Sequence, residues 1–167
     1  MIKSVLTIFA LFFGLLSTDA TAHPGAGHHQ DGHGQKADQA EDHAAALGEP
    51  GDAAKATRTM EVDMNDSMRY TPSTISIKRG ETIKFIVKNT GNIKHEMVLG
   101  SIAELKEHAA LMVKFPEMEH VDPNQVSVEP GKTGALVWKF TKRGTFDFAC
   151  LQPGHFEAGM RGKIAVK

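Results

Sequence analysis

Ile83, Phe85 and Val87 alternate with Lys84, Ile86 and Lys88, so one face of this segment is apolar and the other is largely charged. That two-residue period belongs to a half-buried β-strand and not to a helix. The same rhythm runs through Met60, Val62 and Met64, through Ile75 and Ile77, and through Leu136, Trp138 and Phe140. It returns in Phe146, Phe148 and Cys150, and again in Ile164 and Val166 near the end of the chain. Arg79-Gly80, Asn89 to Asn92 and Arg143-Gly144 supply turns between the runs. One segment breaks the pattern: Ile102, Leu105, Ala109 and Met112 recur at helical spacing, with Ser101 as N-cap and Glu104 at the capping-box distance. Pro116 stops that helix. The residues from 57 to 167 therefore read as a single all-β sandwich domain with one short helix, Ile102 to Lys114, between its two β halves.

The chain holds a single cysteine, Cys150, in the run Cys-Leu-Gln-Pro-Gly-His-Phe-Glu-Ala-Gly-Met. The C-x4-H-x4-M spacing puts a thiolate, the imidazole of His155 and the thioether of Met160 on one short loop between two strands. Pro153-Gly154 turns the loop so that His155 swings back toward the sulfur. A second imidazole, His95, lies on an upstream apolar strand and faces the same way as Ile93 and Met97. Two imidazoles, a thiolate and a weak axial thioether are the donor set of a type 1 copper site, and soft sulfur donors select copper over magnesium or calcium. The metal ligands expected here are His95, Cys150, His155 and Met160.

In these residues the chain resembles the cupredoxins, the small Greek-key β-sandwich copper proteins that include plastocyanin, azurin, rusticyanin and auracyanin. The resemblance runs from about Met60 to Lys167, and the loop spacing is similar to that of rusticyanin and auracyanin. The whole pattern, with Lys94-His95-Glu96-Met97-Val98-Leu99-Gly100, looks most like the periplasmic cupredoxins linked to copper tolerance. One position departs from the pattern: plastocyanin and azurin follow the first histidine with an asparagine that braces the cysteine loop, and this chain has Glu96.

Residues 1–22 read as a secretory leader, with Lys3 ahead of the apolar run Val5 to Leu16 and cleavage expected after Ala22. The run is too short for a membrane span, which needs about 20 apolar residues. Export to the periplasm fits a lone cysteine, because an unoccupied thiol there is prone to oxidation and a bound metal protects it. From His23 to Ala56 the chain is rich in Gly, Ala, His, Asp and Gln, and reads as a flexible arm. His23, His28, His29, His33 and His43 on that arm are candidates for weak accessory metal binding. His108 and His120 lie near Met112 and Met118 in the sequence and read as surface histidines.

Charge narrows the partners. The arm carries six acids against two bases, and the segment from Thr57 carries thirteen acids against sixteen bases. No dense basic patch points to nucleic acid. With a single domain and no His-x-His pair, multicopper catalysis is not expected, so the chain reads as a non-enzymatic, monomeric copper protein. Two functions share this site: copper tolerance, and a soluble electron shuttle exchanging electrons with a cytochrome or oxidase. A shuttle needs an apolar collar around His155, for which Leu151, Pro153, Phe156 and Ala158 are the candidates. The histidine-bearing arm favours tolerance.

Overall fold

A computed structural model of the chain describes residues 47–118 and 121–167. Among the described residues there are ten strands and one α-helix: β1 Gly48–Pro50, β2 Arg58–Asn65, β3 Arg69–Thr71, β4 Thr74–Ile77, β5 Thr82–Asn89, β6 His95–Gly100, α1 Ile102–Lys114, β7 Gln125–Val128, β8 Thr133–Phe140, β9 Gly144–Ala149 and β10 Arg161–Val166. They form two five-stranded sheets, ordered β1-β8-β5-β2-β3 and β4-β10-β9-β6-β7. Pairing is antiparallel except between β2 and β5 and between β4 and β10, which run parallel. This is the Greek-key sandwich that the alternation and the resemblance led us to expect.

The alternation is borne out residue by residue. Ile83, Phe85 and Val87 are buried, as are Leu136, Trp138 and Phe140 from the neighbouring β8. Phe148, Ile164, Val166, Ile75 and Ile77 meet them from the second sheet, so the core fills the space between the two layers. Tyr70 and Phe148 pack edge to face at 4.9 Å.

β6 differs from the others in being buried at all six positions. His95, Met97 and Leu99 face the space between the sheets, and Val98 faces the opposite way, into a second apolar cluster beneath α1. That cluster contains Leu105, Ala109 and Met112 from the helix stripe, with Ala149, Leu151 and Phe156. The helix begins as expected, with Ser101 Oγ accepting from the Glu104 N–H and the Glu104 carboxylate accepting from the Ser101 N–H. Ile102, expected on the buried stripe, is exposed. It occupies the first helical position, three residues before the first buried member of the stripe, Leu105.

Two further expectations need correction. Residues 47–56, expected to belong to a flexible arm, are built into the fold instead. Leu47 is fully buried in the main core, and Gly48–Pro50 pairs antiparallel with β8 from Gly48↔Phe140 to Pro50↔Trp138. Asp52 then caps a single 3-10 turn at Ala53–Lys55. The one large apolar side chain of that stretch supplies the burial that its neighbours lack. Ile93, expected inward beside His95 and Met97, precedes β6 and is exposed. The leader and the five arm histidines lie outside the described residues, as does His120.

Candidate metal centre

β9 and β10 clamp the loop that carries Cys150, His155 and Met160. Arg161 stands opposite Ala149 in the ladder, and one step further the Cys150 N–H donates to the Met160 carbonyl at 3.1 Å. Both ends of the loop are thereby fixed by the sheet. Inside it, His155 N–H donates to Gln152 O at 2.9 Å and Met160 N–H to His155 O at 3.0 Å, so the loop winds back on itself. Gly154 and Gly159 make the reversals at φ +84° and +90°, the left-handed region that glycine adopts without strain.

β6 pairs with β9 only from Val98↔Ala149 onward. Before that point β6 keeps β7 as its neighbour, with His95 opposite Val128, and the separation from β9 makes room for the loop. Cys150 Sγ lies 3.2 Å from His155 Nδ1 and 4.0 Å from His95 Nδ1, and the two imidazole Nδ1 atoms are 3.2 Å apart. The sulfur and the two nitrogens all lie within 4.8 Å of one another. Cys150 and His95 are fully buried and His155 is half-buried. Met160 is fully buried at the end of the same loop. The structure thus brings together the three donors expected from nitrogen and sulfur, and fixes the fourth residue beside them through its backbone.

Two of the donors, His95 and Cys150, are held by a neighbour. His95 Nε2 donates to Asp66 Oδ1 at 3.1 Å, which leaves Nδ1 as the free lone pair facing the sulfur. Asp66 sits in the turn after β2 and also accepts from the Asn92 N–H, at 2.8 Å to Oδ2. That backbone bond is the main reason its carboxyl lies below the ordinary aspartate value, with the His95 contact adding to it. Cys150 Sγ accepts the Glu96 N–H at 3.4 Å. Burial, and then the Glu96 charge, push the Cys150 thiol up to about 12. Burial and the adjacent His95 ring hold His155 below the usual imidazole value of 6.5.

The Glu96 side chain turns away from the core and ties the loop. Its Oε1 accepts the Leu151 N–H at 2.9 Å, and its Oε2 accepts from Ser127 Oγ at 3.2 Å and Gln152 Nε2 at 3.3 Å. Ser127 is within reach because it stands directly opposite Glu96 in the β6–β7 ladder. Glu96, Ser127 and Gln152 also line a cavity of about 150 Å³ with Met112 and Met118. His108 is not among its lining residues.

The sequence reading did not single out Asp66. It lies 29 positions before His95 and looks like one more polar turn residue. The collar around His155 is also smaller than expected. Leu151 and Phe156 are buried under α1, and of the four candidates only Pro153 and Ala158 are exposed.

The donor chemistry fits a soft metal ion. A buried thiol that resists ionisation, facing two imidazole lone pairs at hydrogen-bond range, becomes favourable as a thiolate once a cation shares the space. Comparison with known proteins points the same way. Residues 56–167 match the family described as copper binding proteins, plastocyanin/azurin family. The copper-resistant cuproprotein CopI of Rubrivivax gelatinosus is 49% identical over 164 residues, covering 98% of this chain and 95% of that protein. The protein of the same name from Pseudomonas aeruginosa is 37% identical over 154 residues, covering 75% and 84%. Among solved structures, reduced auracyanin from Roseiflexus castenholzii superposes with a TM-score of 0.57 at 21% identity, covering 67% of this chain and 98% of that one.

Proposed function

This chain belongs to the plastocyanin/azurin family of copper-binding proteins, and from that premise we propose that it captures copper in the periplasm and serves copper tolerance. His95, Cys150, His155 and Met160 hold one copper ion at a type 1 site. The single observation that carries the assignment is the convergence of Cys150 Sγ and the two imidazole Nδ1 atoms within 4.8 Å. When bound, copper supplies a one-electron couple. The protein supplies a rigid donor set: the strands fix both loop ends, and Asp66 fixes the His95 tautomer.

The relatives named copper-resistant cuproproteins support tolerance as the biological role. So does the burial of Leu151 and Phe156, which removes much of the apolar ground on which a cytochrome or oxidase would dock around His155. In this reading residues 1–22 are a cleaved export leader, and a histidine-bearing arm ending before Leu47 extends the range of copper capture. The mature protein acts as a monomer and catalyses no reaction of its own. No helix among the described residues is long and apolar enough to cross a membrane.

Adding Cu(II) to the purified apoprotein tests the site. An intense thiolate-to-copper charge-transfer band and a type 1 paramagnetic resonance spectrum are expected, both absent in Cys150→Ala. A colourless wild-type complex overturns the assignment. For the role, a strain lacking the gene should lose survival in excess copper and regain it with the wild-type gene but not with C150A.

A further inference from the structure

Glu96 directly follows the expected ligand His95. Here the tie to the ligand loop is made by a side chain that bears a formal charge. Glu96 is only 5% exposed, and three donors, one from β7 and two from the ligand loop, converge on its carboxylate. Its backbone N–H meanwhile points at the Cys150 sulfur. One residue therefore contacts the thiol through its main chain and the loop behind that thiol through its side chain.

A buried negative charge acts strongly on its surroundings, because little water screens it. Its carboxylate holds the N–H of the residue that follows Cys150, so its field reaches the sulfur. A site that gains an electron on reduction feels the same field with the same sign. The cupric state carries one more positive charge than the cuprous state, so a fixed anion nearby stabilises the former relative to the latter.

We propose that Glu96 is a positioning residue whose charge biases this site toward Cu(II), making it a cupric holding site with a lowered potential. The inference rests on the type 1 copper reading above. A glutamine amide oxygen at this position has the reach to accept the Leu151 N–H, so that tie alone does not require a carboxylate. The charge is the surplus feature, and it suits a protein that retains copper better than one that passes electrons at high potential.

Two substitutions separate charge from reach. Glu96→Gln keeps the acceptor for Leu151 N–H and removes the charge. Glu96→Asp keeps the charge and withdraws the oxygen by one methylene. The measurements are the midpoint potential of the copper-loaded protein, by redox titration, and amide exchange of Leu151 in the apoprotein. In E96Q the ratio of Cu(I) to Cu(II) affinity should rise about tenfold, a potential increase of about 59 mV for one electron. Leu151 should remain protected in E96Q. In E96D the potential should stay near the wild-type value while Leu151 exchanges at least about tenfold faster, as expected when a buried amide loses its acceptor. A potential in E96Q that is unchanged or lower overturns the proposal. So does a rise in E96D equal to that in E96Q, since loop loosening would then account for both. If the wild type forms no thiolate–copper band at all, the type 1 reading fails; Leu151 exchange in the apoprotein still reports whether Glu96 ties the loop.

Discussion

Asp66 accepts a hydrogen bond from His95 Nε2 at 3.1 Å, and this contact decides which ring nitrogen of His95 faces the Cys150 sulfur. A carboxylate behind a ligating imidazole both fixes the tautomer and makes the ring a better donor. The same carboxylate holds the Asn92 backbone, so the turn before β6 and the ligand on β6 are set by one side chain.

Asp66→Ala should therefore weaken Cu(II) binding by about 10- to 100-fold, the usual effect of losing a ligand's supporting partner. The visible band should persist, because all four expected ligands remain. Competition against a chelator of known affinity measures the loss. Asp66→Asn, which keeps an oxygen for the Nε2–H, should lose less.

The apoprotein should become less stable as pH falls below about 6.5, the value an unperturbed imidazole takes. His155 is held below that value by burial and by the His95 ring. Between its lowered folded value and 6.5, the unfolded chain binds a proton that the folded chain resists, so acidification favours unfolding. Thermal melting from pH 7.5 to 5.5 should show a falling midpoint, and His155→Gln should flatten that slope. An identical slope in the variant rules out His155 as its source.

Leu47→Ala should cost about 2–5 kcal/mol, the range for a fully buried leucine. Leu47 is 0% exposed within the main core, immediately before β1. Deletion of residues 23–46 should leave the melting temperature of the domain unchanged, whereas deletion of 23–56 removes β1 and should lower it. Equal melting temperatures for the two deletions would show that β1 adds nothing to the sandwich.

Gly162→Ala tests the contact that lets β10 lie against β9. An added Cβ would sit 2.1 Å from the Phe148 ring, which belongs to the main core and stands opposite Gly162 in the ladder. The ring has to move, at a cost of about 1–3 kcal/mol typical of overpacking. Denaturant unfolding should register that loss. Phe148→Leu in the same chain should recover part of it by making room.

The sandwich and most of the site were legible because their signals are local. Alternation at Ile83, Phe85 and Val87 reports burial directly, and Ser101 with Glu104 marks a helix start within four residues. The cluster of Cys150, His155 and Met160 lies within one loop, so its spacing alone announces shared chemistry. What escaped the reading depends on contacts made across the fold. Gly48-Glu49-Pro50 has no strand propensity and is a strand only because β8 offers an edge to it. Asp66 gains its role from a histidine on another element, 29 residues on. Leu151 and Phe156 read as exposed loop residues until the apolar stripe of α1 is laid over them. Glu96 could be flagged as unusual from the sequence, but its three donors come from Ser127, Leu151 and Gln152, which only the folded chain assembles.

The placement of α1 over Leu151 and Phe156 also governs how the centre communicates with its surroundings. Of the four expected ligands, His95, Cys150 and Met160 are fully buried and His155 alone is partly exposed. Among the described residues the shortest approach for an ion, an electron or a chelator is therefore past His155, on the loop against which α1 packs.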